Sequence, residues 1–97
     1  MASKKKTSQI CIITITGKDK VGIIAKIATS MTRANINIVD VNQKIMEDYF
    51  VMTMAIDIAK ASIDVSQINK RLDKIAKEMQ LIINCQDESI FKMMHRI

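Results

Sequence analysis

A chain of 97 residues forms one small domain, which buries only about 60 to 65% of the surface that its unfolded form exposes. Apolar residues make up 48% and charged residues 26%, so the composition excludes a disordered chain, and no apolar run approaches the roughly 20 residues that span a bilayer. The net charge is +5, but Lys4 to Lys6 supply three of those charges, and the small remainder argues against nucleic acid as a partner.

Residues 1 to 8 are expected to form a flexible basic tail, followed by a single domain over residues 9 to 97. No apolar segment follows the lysines of this tail, so it does not resemble a secretory signal, and a cytoplasmic location is expected. The two cysteines, Cys11 and Cys85, lie far apart in apolar segments without a CxxC pair. They are therefore predicted to be buried, reduced thiols, and no metal or other cofactor is expected.

The first half of the chain predicts a strand, a helix and a second strand. Residues 9–16 are rich in β-branched side chains and predict strand β1. In residues 21–34 the apolar side chains recur at helical spacing, at positions 23, 24, 27, 28, 31 and 34, and predict helix α1. Residues 36–46 predict strand β2, and a change of parity in the apolar positions of this strand indicates a β-bulge.

The second half predicts a hairpin strand, a helix and a final strand. Glu47-Asp48 is expected to form a hairpin turn without glycine, and residues 49–58 alternate cleanly between apolar and polar, which predicts strand β3. Asp64 followed by Gln67 is typical of a helix N-cap, and apolar positions 65, 68, 72, 75, 76 and 79 predict helix α2. Residues 81–86 predict strand β4, and residues 89–94 predict a short terminal helix.

The order βαββαβ indicates an α+β, ferredoxin-like sandwich. This fold has a four-stranded antiparallel sheet in the order 4-1-3-2, with both main helices on one face, here followed by a short C-terminal helix. Strand β2 is then an exposed edge that needs protection or a partner. Because the domain is small, pairing of this edge with a second copy would add apolar burial, and we expect a homodimer.

The loop between β1 and α1 is the stretch most suited to binding a ligand. It is expected to hold both glycines, Gly17 and Gly22, and to expose the first N–H groups of a helix, which favour an anion. The run Gly17-x-Asp19-Lys20-x-Gly22-Ile23-Ile24-Ala25-x-Ile27, with Asn35-Ile36-Asn37-Ile38 after it, resembles an ACT domain, the small-molecule-binding regulatory module of many amino-acid-metabolism enzymes. The ending Ile90-Phe91-x-x-Met94-His95-Arg96-Ile97 is similar to that of small prokaryotic proteins that consist of one ACT domain.

The resemblance implies an amino acid or related carboxylate bound at a subunit interface, between the β1–α1 loop and the beginning of β2, with a regulated enzyme or other protein as a further partner. The implied ligand-binding residues are Asp19, Lys20, Val21, Gly22, Ile23, Asn35, Asn37 and Ile38. Val21 stands where these domains often have proline, which leaves the loop less pre-organised. On physical grounds Asn35 is equally suited to end α1, and Asn37 to face water on an edge strand. Gly22→Val is expected to abolish binding without unfolding the domain.

Other functional classes have weaker support. His95 is the single histidine, and no paired carboxylates, nucleophile elbow or P-loop occur, so no enzyme activity is expected. An RNA-binding sheet of this fold would need exposed aromatic side chains, but the sequence has only three aromatic residues, Tyr49, Phe50 and Phe91, and the alternation in β3 predicts that Phe50 faces inward. The alternative to a ligand sensor is a protein-interaction or assembly module that uses the same edge strand and binds no small ligand.

Overall fold

The computed structural model describes residues 8–18 and 21–94. Seven elements follow one another in the predicted order: β1 (Ile10–Lys18), α1 (Ile23–Arg33), β2 (Asn37–Met46), β3 (Tyr49–Asp57), α2 (Val65–Met79), β4 (Leu81–Asp87) and α3 (Glu88–Met94). The strands form one antiparallel sheet in the order β2-β3-β1-β4. This is the predicted ferredoxin-like topology, with β1 and β3 in the centre.

The core lies between one face of the sheet and the two long helices. Every second residue of β1 and β3 is buried, from Cys11 to Ile15 and from Phe50 to Ile56, as the period of two in these strands predicts. Helix α1 contributes Ile23, Ile27 and Met31, and α2 contributes Ile68, Leu72 and Ile75. The buried residues of the described chain form one cluster without a polar or charged member.

The predicted irregularity in β2 is present as a β-bulge. The pairing with β3 shifts between Ile38 and Asp40, so Val39 has no partner residue in the ladder. After the bulge, Val41 and Ile45 pair with the buried residues of β3 and therefore face the helix side of the sheet. Both remain exposed because β2 is the outermost strand, beyond the main cover of the helices.

Two local predictions are also confirmed. Asp64 and Gln67 form a capping box at the start of α2: an Asp64 carboxylate oxygen accepts from the Gln67 backbone N–H at 2.9 Å, and the Gln67 side-chain oxygen accepts from the Asp64 N–H at 3.1 Å. The hairpin turns at Glu47 and Asp48, and Glu47 adopts φ 60 to do so without glycine.

Both cysteines are free and buried, as predicted, and they lie next to each other in the fold. Cys11 lies diagonally across from Cys85 on the core side of the β1–β4 pair, and the two thiols interact. Burial, together with the neighbouring Cys11, raises the pKa of Cys85 from 9.0 to about 12. Burial and the charge of Asp87 also raise the pKa of Cys11. Both thiols are therefore protonated near neutrality and are poor nucleophiles.

The raised pKa of Cys85 predicts that the fold loses stability in alkali. The folded protein keeps this proton up to about pH 12, whereas the unfolded chain releases it near pH 9.0, so the unfolded state binds fewer protons in between. Stability is fully present below this window and falls as the pH rises through it, by at most about 1.4 kcal/mol per pH unit for one thiol. We expect a shallower fall for Cys85→Ala, measured by urea unfolding between about pH 8.5 and about pH 10.5. If the unfolding free energy fell equally steeply with pH in both proteins, the raised pKa of Cys85 would be contradicted.

No helix within the described ranges has the length and apolar character needed to cross a membrane.

Candidate functional site

Gly22 is the N-cap of α1 and sits in open space. Its φ of 91 and ψ of 2 place it in the left-handed region that glycine adopts without strain. Apart from its chain neighbours and the backbone of the helix, a Cβ built on Gly22 would meet no atom of the described residues within 4 Å. The preceding Val21 is fully exposed, whereas Ile23 is buried in the core and anchors the first turn of the helix. The backbone at Gly22 is thus held in place by the buried Ile23 and remains accessible on its solvent side.

The start of α1 has no cap from the described side chains. Its first turn holds no acidic residue, and the first intrahelical bond runs from the Lys26 N–H to the Gly22 carbonyl at 2.9 Å. The N–H groups of Ile23, Ile24 and Ala25 therefore precede the hydrogen-bonded part of the helix. Such a group of donors, at the positive end of the helix, suits a carboxylate. Asp19 and Lys20, also in the predicted site, lie outside the described residues.

Gly17 does not belong to the loop, contrary to the prediction. It is the eighth residue of β1, paired with Phe50 on one side and Leu81 on the other. A Cβ there would lie 2.6 Å from Leu81 Cδ2 and 3.3 Å from the Gln80 carbonyl oxygen. Glycine at this position allows the start of β4 to pack closely against β1, so its role is structural, and Gly22 alone serves the loop.

Asn35 closes the other end of α1. It adopts φ 58, its N–H donates to the Thr32 carbonyl, and the next N–H, of Ile36, donates to Met31, which together form a Schellman motif. The Asn35 side-chain amide donates to the Lys60 carbonyl at 2.9 Å and so ties the helix end to the loop before α2. Asn35 therefore caps the end of α1, which is one of the two roles that the sequence left open for it.

Asn37 and Ile38 open β2, as predicted. Asn37 is exposed and pairs with Asp57, and its side chain makes no hydrogen bond within the described part of the chain. Ile38 is half-buried, packs against the core and pairs with Ile56. Of the predicted polar ligand groups, the Asn37 amide is therefore better placed than that of Asn35 to meet a ligand.

The two halves of the predicted site lie at opposite ends of α1. This helix has 11 residues, so its ends are about 17 Å apart. The register of the sheet agrees: Ile45 and Gly17 both pair with Phe50 at the end where α1 begins, whereas Asn37 pairs with Asp57 at the far end. One copy of the chain does not bring Gly22 and Asn37 together, so a site that contains both needs two copies.

An apolar strip runs along the edge of the domain beside β2. It consists of Ile24 on α1 and of Val41 and Ile45 on the helix side of β2, which are 42%, 43% and 54% exposed. The helical spacing predicted Ile24 to face the core with Ile23 and Ile27; instead Ile24 is exposed. An apolar strip next to an unpaired strand edge is typical of a subunit interface.

No three or more histidine, cysteine, aspartate or glutamate side chains come together as a possible metal site within residues 8–18 and 21–94. His95 lies outside these ranges.

A model of the ACT domain family matches residues 9–86 of this chain. A UPF0237 protein of Methanococcus maripaludis is 48% identical over 86 residues, which cover 89% of this chain and 96% of that protein. Among solved structures, an ACT domain protein from Streptococcus pneumoniae is similar, with a TM-score of 0.75 and 27% identity over 89% of this chain and 97% of that one.

The same fold also occurs within a larger protein. A formyltetrahydrofolate deformylase from Pseudomonas syringae matches with a TM-score of 0.77 and 20% identity. The match covers 84% of this chain but 28% of the deformylase, and at this identity it shows the fold alone. A single domain of this kind thus stands alone in some proteins and forms a part of a longer chain in others.

Proposed function

The chain belongs to the ACT domain family, a family of small-molecule-binding regulatory modules, and from that membership we propose that it senses an amino acid or a related small carboxylate as a homodimer. The observation that carries the proposal is the start of α1. There an open, left-handed Gly22 leads into N–H donors that no described side chain caps. The regulated target is proposed to be an enzyme or another protein, and the location to be the cytoplasm, where the two buried thiols stay reduced.

The proposed dimer pairs the β2 edges of two copies in antiparallel fashion. A twofold axis near Val41, in the middle of β2, brings Asn37 of one copy level with the hairpin end of β2 in the other. That hairpin end lies beside the start of α1, because Ile45 and Gly17 share Phe50 as a neighbour. Each of the two sites then combines the loop of one copy with the Asn37 amide of the other, which explains why neither copy holds a whole site.

The alternative is an assembly module without a small ligand. The exposed apolar strip of Ile24, Val41 and Ile45 could be covered by a second copy or by a different protein that binds the β2 edge. The open space at Gly22 favours the sensor, because a loop with a purely structural role gains nothing from uncapped donors. Neither version needs catalytic residues, and we propose that the protein is not an enzyme.

A thermal-shift screen with the common amino acids tests the sensor. A ligand present at about 100 times its Kd stabilises the folded state by about 2.7 kcal/mol, which raises the Tm of a domain of this size by about 10 °C or more. The control is the amide of the same amino acid, which keeps the side chain and loses the carboxylate, and which we expect to give no shift. If no amino acid or small carboxylate raises the Tm, the assembly module is the better account.

A further inference from the structure

The charges of the described chain are segregated between its two layers. Helices α1 and α2 carry six cationic side chains and two acidic ones. The sheet, the loops and α3 carry four cationic and seven acidic side chains. The helix layer is therefore strongly positive and the rest of the described chain is negative. A face of one sign attracts ligands of the opposite charge and raises their local concentration.

A groove of about 400 Å³ runs between the outer surfaces of α1 and α2. It is lined by Lys26, Ser30, Arg33, Arg71, Lys74, Ile75 and Glu78. Along each helix these residues recur at spacings of three or four, so both helices present one stripe to the groove. Ile75 is buried beneath it, and the other lining residues are polar or charged.

The one acidic residue of the groove neutralises one end of it. Glu78 Oε1 lies 3.2 Å from Lys26 Nζ. At the other end, Arg71 Nη1 donates to the Ser30 carbonyl at 3.3 Å, which fixes the guanidinium across the groove. Arg33 and Lys74 have no acidic partner among the described residues. Three cations from two helices thus converge where no carboxylate offsets them.

We propose that this groove binds a polyphosphate chain, either free or as the phosphates of a nucleotide. Guanidinium groups hold phosphate oxygens through paired hydrogen bonds, and a lysine adds a mobile point charge. Arg71 uses one nitrogen on the Ser30 carbonyl and keeps other donors for a ligand. Three convergent cations match a chain of several negative charges far better than the single carboxylate of an amino acid. The groove is thus a second site, separate in chemistry from the one at Gly22.

The test is titration calorimetry on the full chain, with sodium triphosphate and, separately, with ATP. Divalent metal is left out, and the salt concentration is about 0.1 M, at which exposed charges more than about 10 Å apart are screened from each other. The groove variant is R33A/K74A, which keeps the fixed Arg71. The matched control is K70A/K77A, which removes the same charge from the exposed surface of α2 but not from the groove. We expect at least a tenfold weaker Kd for the groove variant and less than a twofold change for the control.

The two probes distinguish the sources of the phosphates. Equal affinity for triphosphate and ATP assigns the site to a free polyphosphate, and tighter binding of ATP assigns it to a nucleotide; each supports the proposal. Equal weakening in both variants would overturn it in favour of a diffuse positive field, and so would no binding of either probe to the unaltered chain. The amino-acid thermal shift of R33A/K74A should stay unchanged, so a failure here is distinct from a failure of the sensor.

Discussion

Val41→Glu is expected to convert the proposed dimer into a monomer at micromolar concentration. Val41 lies near the middle of β2, on the helix side of the sheet, and is 43% exposed in the single chain. In a twofold-symmetric pairing about this point, two glutamates would face each other across the axis, and like charges at such positions repel. Losing the burial of the exposed 43% of two valine side chains costs about 1.3 kcal/mol, about a tenfold change in the dimer Kd, and the cost of burying two carboxylates adds to it. Sedimentation velocity measures the change.

Ile82→Glu is the matched control for this variant. Ile82 is a β-branched residue, 68% exposed, on β4, the opposite edge strand of the sheet. The same change of side chain there should leave the dimer intact. A dimer that survives Val41→Glu and dissociates with Ile82→Glu would place the interface on β4. Sedimentation of the unaltered chain as a monomer would remove the proposed dimer altogether.

The fold could be predicted because each element has its own periodic signal. The alternating residues of β3 and the apolar stripes of α1 and α2 point to one shared core, so local and global preferences agree. The bulge in β2 was also visible, since only an extra residue reconciles Ile38 and Val41 on the same side of the strand. The ends of the elements were predicted less accurately: β1 ends at Lys18, two residues beyond its predicted end at residue 16.

The sequence names candidate residues for the site but does not give their arrangement. Gly17 and Gly22 are alike in the sequence, and only the packing of Leu81 against Gly17 separates a strand residue from a loop residue. The predicted span of α1, residues 21–34, already places Gly22 at its start and Asn37 beyond its end. The sequence does not give the register of the strands, which confirms that these two ends stay apart in one copy. The cationic groove is likewise visible only when α1 and α2 lie side by side, although the spacing of Arg71, Lys74 and Glu78 indicates one helix stripe.

The backbone at Gly22 decides which variant tests the site. The sequence suggested that valine would be tolerated there, because the buried face of α1 holds the helix in place. With φ at 91, however, a β-branched side chain is strained whatever the space around it, so Gly22→Val would confuse loss of binding with loss of folding. Asparagine tolerates the left-handed region better than other side chains and extends further than a methyl group. Gly22→Asn is therefore the better variant.

Gly22→Asn is expected to leave the domain folded and to weaken the binding of the amino acid identified by thermal shift about 100-fold. Its side chain would fill the open space in front of the helix start, where the carboxylate is proposed to accept hydrogen bonds from backbone N–H groups. Two such charge-assisted bonds contribute about 3 kcal/mol together, which corresponds to that factor. Calorimetry measures the affinity, and circular dichroism with urea unfolding checks the fold. Asn37→Ala, which removes one neutral hydrogen bond, should weaken binding by only about threefold to tenfold. Unchanged affinity in a folded Gly22→Asn protein would move the site away from this loop and leave Gly22 with a purely structural role.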